Sequence, residues 1–135
     1  MDKIFIRFFI KGDDLDVYKI SKDIAVNADL FEKGAIIKNK FCVQTKPQKT
    51  NRWVYSAESE KNENINSLLR RMYKALYPWI GAINEYTKRY YSLLDIVVYS
   101  NSEKPITKYN LALSKDSIRI IAKLNTKFSL TIYDW

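Results

Sequence analysis

Alternation of apolar and polar residues dominates the opening of the chain. Over residues 3–10, KIFIRFFI, an extended strand places Ile4, Ile6 and Phe8 on one face and Phe5, Arg7 and Phe9 on the other. Both faces are largely apolar, which predicts a central strand. Gly12-Asp13-Asp14 is a turn signal, and Asp14 or Asp16 caps a short helix marked by Val17, Ile20 and Ile24 that ends near Asn27. From Phe31 to Val43 the apolar patches are short and broken by Gly34, Asn39 and lysines, the mark of a loop carrying one or two short strands. Gln44 to Asn51, with Pro47, continues as loop. Arg52 to Ser56 alternates again, with Trp53 and Tyr55 on one side, and predicts a strand.

The longest periodic segment runs from about Asn64 to Tyr86. Ile65, Leu68, Leu69, Met72, Leu76, Trp79, Ile80 and Ile83 recur at the three- and four-residue spacing of an amphipathic helix, with Arg70, Arg71, Lys74 and Lys88 mainly off that stripe. Pro78 lacks a backbone donor, so the helix either kinks near Lys74–Tyr77 or divides in two. Tyr91 to Tyr99 is strongly β-forming, with Leu94, Ile96 and Val98 on one face. Ser114 caps a helix over Lys115–Lys123, Asn125 suits its left-handed end, and Lys127–Tyr133 forms a final strand. Phe5, Phe8, Trp53, Trp79 and Phe128 fit these periodicities as core aromatics. The order β-α-β-β-α-β-α-β predicts a single α+β domain over residues 1–135: a mostly antiparallel sheet of about five strands, with two or three helices packed on one face.

Composition narrows the chemistry. The chain of 135 residues has one cysteine and no histidine, which excludes a disulfide framework, a cysteine-cluster zinc site and the usual neutral-pH proton carrier. No Gly-rich phosphate cradle occurs. Asp13, Asp14 and Asp16 cluster, but the further ligands of a calcium loop do not follow, so they are expected to form a turn and helix cap rather than a metal site. Cys42 has no histidine to act as its base and is expected to be structural. The expected protein is therefore non-enzymatic, with no metal and no cofactor. No apolar run approaches the length of a membrane-spanning helix and no signal-peptide pattern opens the chain, so no membrane partner is expected and the expected location is the cytoplasm.

Charge is unevenly placed. Residues 33–52 hold Lys33, Lys38, Lys40, Lys46, Lys49 and Arg52 and no acid, six positive charges against an overall net charge of +8. Two readings stay open: a solvated hairpin whose lysines guard an edge, or a face for an acidic partner or nucleic acid. Aromatic residues make up 14% of the chain, and Tyr86, Tyr90 and Tyr91 cluster with Lys88 and Arg89, a mixture that suits a protein interface or base stacking. The candidate partner-binding residues are thus Lys38, Lys40, Lys46, Lys49 and Arg52 as one face and Tyr86, Lys88, Arg89 and Tyr90 as another. No known sequence-specific nucleic-acid module is present.

Several short signatures recur in an order that resembles a known family. They are Gly12-Asp13-Asp14-Leu15-Asp16 after the first strand, Phe31-Glu32-Lys33-Gly34, Asn51-Arg52-Trp53-Val54-Tyr55-Ser56, Leu76-Tyr77-Pro78, the strand Leu94–Tyr99, and the ending from Leu113-Ser114 to Ile132-Tyr133-Asp134-Trp135. The sequence resembles the small bacterial and phage family called domain of unknown function 4279, departing from its pattern where Val17 and Tyr18 stand in place of a proline. The resemblance brings no catalytic residues. It implies a single-domain protein of the kind found near toxin and conflict genes, and hence an immunity-type or inhibitor role. The expected function is to neutralise an acidic partner protein, such as a toxin or a defence component, by binding it as a monomer or homodimer. Direct nucleic-acid binding through the basic 33–52 segment is the alternative.

Overall fold

Strand β1 (Lys3–Gly12) lies at the middle of a five-stranded sheet in the computed structural model, which describes residues 3–34, 38–39, 42–43, 49–100 and 112–134. Its burial alternates residue by residue, as the period of a strand requires. Ile4, Ile6, Phe8 and Ile10 are buried on one face, while Phe5, Arg7 and Phe9 remain half-buried on the other. The chain continues through α1 (Val17–Asp23), β2 (Asp29–Phe31), a two-stranded hairpin of β3 (Lys38–Asn39) and β4 (Cys42–Val43), and β5 (Asn51–Glu58). Next come α2 (Ile65–Leu76), a 3₁₀ turn (Tyr77–Trp79), α3 (Ile80–Arg89), β6 (Tyr91–Ser100), α4 (Lys115–Lys123) and β7 (Lys127–Asp134).

The strand order is β2-β5-β1-β6-β7. The pairs β2–β5, β5–β1 and β1–β6 are antiparallel and β6–β7 is parallel, so the sheet is mixed rather than purely antiparallel. The reason is the connection: α4 lies between β6 and β7, and a chain that crosses over through a helix re-enters the sheet in the same direction. The fold is α+β.

One core unites the sheet and the helices. Ile4, Ile6, Phe8, Ile10, Trp53, Leu94, Ile96 and Val98 from the strands pack with Ile20 of α1, Leu68, Leu69, Met72 and Leu76 of α2, Ile83 of α3 and Ile120, Ile121 and Leu124 around α4. Phe8 and Trp53 meet edge to face, with ring centroids 5.8 Å apart. All four helices therefore cover the same face, the one β1 presents through its even-numbered residues. No helix among the described residues is long and apolar enough to cross a membrane.

Helix ends follow local chemistry. Asp16, not Asp14, caps α1: its Oδ1 accepts from the Tyr18 and Lys19 amides, each at 3.1 Å. The helix stops at Asp23, short of Asn27, and Ile24 takes the C-cap with its side chain in the core. Asn64 and Ser114 cap α2 and α4 by accepting from the Ser67 and Ser117 amides, and Asn125 follows α4 at a φ of 52°. Pro78 divides the long helix within the 3₁₀ turn rather than merely bending it. Asn66 binds α2 to α4, since its Oδ1 accepts from the Ser114 amide at 2.9 Å and the Ser117 hydroxyl at 2.6 Å.

Two core assignments need correction. Phe5 lies on the face away from the helices, edge-on to Tyr99 at 5.5 Å. Phe128 is 50% exposed although its neighbour across β6–β7, Leu94, is fully buried. Phe128 stands on the outermost strand, one strand beyond Leu94, and an edge residue has a strand neighbour on one side only.

Polar side chains fasten the loops. Asn51 donates from Nδ2 to the carbonyls of Asp13 and Leu15 at 3.2 and 3.1 Å and accepts the Lys33 amide at 2.7 Å. Arg71 grips Glu63 through two hydrogen bonds of 3.1 and 2.9 Å and reaches the Glu58 carbonyl at 2.6 Å. Those Arg71 hydrogen bonds hold the Glu63 carboxyl below the ordinary carboxylate range. A carboxyl with a depressed folded pKa contributes stability above its unfolded pKa, about 4.3, and loses it as the pH falls through the lower folded value.

Phe8→Ala is expected to cost about 3–5 kcal/mol and Phe128→Ala no more than about 1 kcal/mol, as read from denaturant midpoints. Glu63→Gln is expected to flatten the decline in stability between about pH 5 and about pH 2, measured as urea midpoints across that range.

Candidate functional site

The face of the sheet opposite the helices is built by the other half of the strand alternation. Lys11 of β1 has Arg52 of β5 and Tyr91 of β6 as its Cα partners, and Phe9 has Val54 and Leu93. Leu93 in turn faces Lys127 of β7. The register therefore lines up Arg52, Lys11, Phe9, Tyr91 and Lys127 in a band across four strands at one end of the sheet.

Within this band each cation lies near an aromatic ring. The Arg52 guanidinium is 4.6 Å from the centroid of Phe9, and the Lys11 and Lys127 ammonium groups are 4.9 and 5.4 Å from that of Tyr91. Such placements are favourable because the ring face carries the negative end of its quadrupole. Phe9 and Tyr91 are tilted neighbours at 6.2 Å.

An acid on the same face is already engaged. Asp95 pairs with Arg7 at 3.3 Å through one oxygen and accepts the Ser129 hydroxyl at 2.9 Å through the other. Among the described residues, no carboxylate forms an ion pair with Arg52, Lys11 or Lys127. Burial pushes the Arg52 pKa below its ordinary value, and the Arg7 charge acts in the same direction. The guanidinium nevertheless stays protonated at neutral pH. Its Nε is buried without a hydrogen-bond partner among the described residues. The buried Nε is out of reach of a partner, but the band as a whole is a cationic surface with no ion pair among the described residues, to which carboxylate or phosphate oxygens can bind.

Farther along the same face, Phe5, Arg7, Ser56, Val97 and Tyr99 line a depression of about 150 Å³. That is smaller than the roughly 300–1,000 Å³ of a typical small-molecule site.

A second cleft, of about 470 Å³, opens between α1 and α3, lined by Asp14, Asp16, Lys19, Asp23, Tyr86, Arg89 and Tyr90 among others. The Tyr86 hydroxyl donates to Asp23 Oδ2 at 2.6 Å, and Lys19 Nζ donates to the same oxygen at 3.1 Å. These hydrogen bonds, Tyr86 first, hold the Asp23 carboxyl below its ordinary range. Burial, then the bond to Asp23, pushes the Tyr86 hydroxyl upward. A tyrosine base needs the opposite shift, so the trio braces α1 against α3. Tyr86 and Tyr90 stack at 6.2 Å. Tyr90 also packs so closely on the end of β1 that a Cβ on Gly12 would stand 2.6 Å from its Cδ1.

The two sequence-derived groups divide accordingly. Arg52 joins the cation band, and Lys49 is exposed just before β5. Lys38 belongs to β3 without a described side chain, and Lys40 and Lys46 lie outside the described residues. Cys42 is placed in β4, again by its backbone alone. Tyr86, Arg89 and Tyr90 come together in the cleft, among more carboxylates than their sequence neighbourhood suggests. Lys88 points elsewhere, into a hollow shared with Tyr73, Tyr77 and Lys123. Of the Asp13, Asp14 and Asp16 cluster, Asp16 serves as the α1 cap. No group of three or more potential metal ligands occurs among the described residues. Sequence reasoning missed Lys11, Phe9, Tyr91 and Lys127 as members of one band. The alternation of β1 carries half of that signal, but the other half is strand pairing between residues 11, 52, 91 and 127.

A family model described as a domain of unknown function (DUF4279) matches residues 2–135. No curated protein and no solved structure matches the chain.

Gly12→Ala is expected to destabilise the protein by about 1–3 kcal/mol. Combined with Tyr90→Ala, which removes the ring it strikes, it is expected to cost less than the sum of the two single changes. A double-mutant cycle from denaturant unfolding measures the difference.

Proposed function

The chain belongs to the DUF4279 family, and on that footing we propose that it is a non-enzymatic protein that binds and neutralises an acidic partner protein, in toxin immunity or in phage and host conflict. The observation that carries this reading is the cation band: Arg52, Lys11 and Lys127 on the sheet face opposite the described helices, held on the protein's own rings and ion-paired to no carboxylate among the described residues.

Carboxylates of a partner supply what this surface lacks. Arginine beside aromatic rings is the composition of interface hot spots, and a guanidinium already in place on a ring loses less freedom when it binds. Across the chain the net charge of +8 adds steering toward an acidic surface. Lys49 and the other lysines of residues 33–52 belong to the same proposal, because that segment leads directly into the strand that bears Arg52.

Nucleic acid is the competing partner, since cations among aromatics also serve single strands. Base stacking needs free ring faces, and here Arg52 lies on Phe9 while Lys11 and Lys127 flank Tyr91. The arrangement disfavours base stacking but leaves ion pairing with phosphate open, so sensitivity to nuclease separates the two partners.

Affinity capture with the tagged chain from its native cell lysate is expected to retain one dominant protein after nuclease treatment. Lys11→Glu with Arg52→Glu is expected to abolish that retention, and raised salt to weaken it. Retention that disappears on nuclease treatment transfers the reading to nucleic acid. A partner bound equally well by the charge-reversed variant removes the band from the interface.

A further inference from the structure

Strand β7 is the long outer edge of the sheet, and among the described residues no strand pairs with its far side. An exposed, apolar edge strand is a template for another chain, and natural sheets blunt such edges with short strands, charges or proline. The opposite edge is blunted in this way, because β2 has three residues and begins with Asp29. In contrast β7 has eight residues, with no proline and with charges only at its ends, Lys127 and Asp134. Its side chains are also exposed: Phe128 at 50%, Leu130 at 40% and Tyr133 at 51%.

We propose that β7 is a self-association edge that pairs with β7 of a second copy of this chain, antiparallel about a two-fold axis through Leu130. Directly opposed residues in a sheet share a face, and a two-fold contact must be self-complementary. Any axis through a residue of β7 meets both conditions, and the one through Leu130 also opposes like chemistry along the strand. On the helix-covered face it sets Leu130 against Leu130 and Phe128 against Ile132 of the second copy. On the other face it sets Ser129 against Thr131 of the second copy, and Lys127 against the ring of its Tyr133. Apolar meets apolar, hydroxyl meets hydroxyl, and a cation meets an aromatic ring. Moving the axis by one residue, to Thr131, instead opposes Phe128 to Asp134. The two five-stranded sheets then join into one, and the exposed Phe128 and Leu130 become covered. This inference stands on the β7 edge alone and does not depend on the partner reading above.

Sedimentation equilibrium of the full chain over roughly 1–100 µM is expected to show reversible dimerisation. Leu130→Lys places two ammonium groups opposite each other across the axis and is expected to weaken it by roughly tenfold or more, with the circular dichroism of the monomer unchanged. In a Cys42→Ser background, Leu130→Cys is expected to form a disulfide-linked dimer on mild oxidation, because Cα atoms opposed across an antiparallel pair lie about 4.5–5.5 Å apart. Ile118→Cys in the same background, 56% exposed on α4, is expected to form no disulfide-linked dimer. A monomer at every concentration overturns the proposal. So does a dimer that Leu130→Lys leaves intact and Leu130→Cys fails to cross-link.

Discussion

The alternation of β1 is the constraint on which the rest of the molecule depends. One strand of ten residues must present Ile4, Ile6, Phe8 and Ile10 to four helices while turning Phe5, Arg7, Phe9 and Lys11 the other way. A register slip of one residue would exchange these sets and bury Arg7 beneath the helices, at a cost the core contacts cannot offset. Because β5 and β6 pair with β1 along nearly its whole length, they inherit its two-sidedness. Trp53 and Leu94 follow the first set, and Arg52 and Tyr91 follow the second. The core and the cationic band are consequently two results of a single periodicity.

Much of this was legible in the chain itself, for local reasons. The three- and four-residue spacing from Ile65 to Ile83, the capping serine at 114 and the left-handed Asn125 depend on neighbours within a turn or two, and they appear where those neighbours predict. Pro78 announces a break by its missing donor, although only the packed structure decides between a bend and a division. Phe128 was misread because periodicity assigns a residue to a face without stating how far along the sheet the helices reach. The direction of β7 was likewise hidden, since it depends on how a connection crosses the sheet. The band around Arg52 was half legible: one member lies in the basic segment, but its companions come from positions 9, 11, 91 and 127 and meet through pairing alone.

The α1–α3 cleft and the cation band divide the chemistry between them. In the cleft between α1 and α3, donors and acceptors are satisfied by one another, and Tyr86, Asp23 and Lys19 spend their polarity on holding two helices together. On the opposite face of the sheet, Asp95 absorbs Arg7 and Ser129, while Arg52, Lys11 and Lys127 lie by rings and pair with no carboxylate among the described residues. Within one small fold, satisfied polarity marks a structural region, and cations without a carboxylate partner among the described residues mark the surface proposed to bind a partner.

Asn51 adds a different kind of consequence. Its side chain receives the Lys33 amide and holds the carbonyls of Asp13 and Leu15, so the two ends of residues 33–51 meet at a single residue that is itself tied to the first turn. Closure of a loop depends only weakly on its length, about 0.6 kcal/mol for each doubling. Holding Lys33 and the first turn at Asn51 therefore fixes where the intervening chain leaves and rejoins the sheet, at an entropic cost that hardly depends on how many residues it contains.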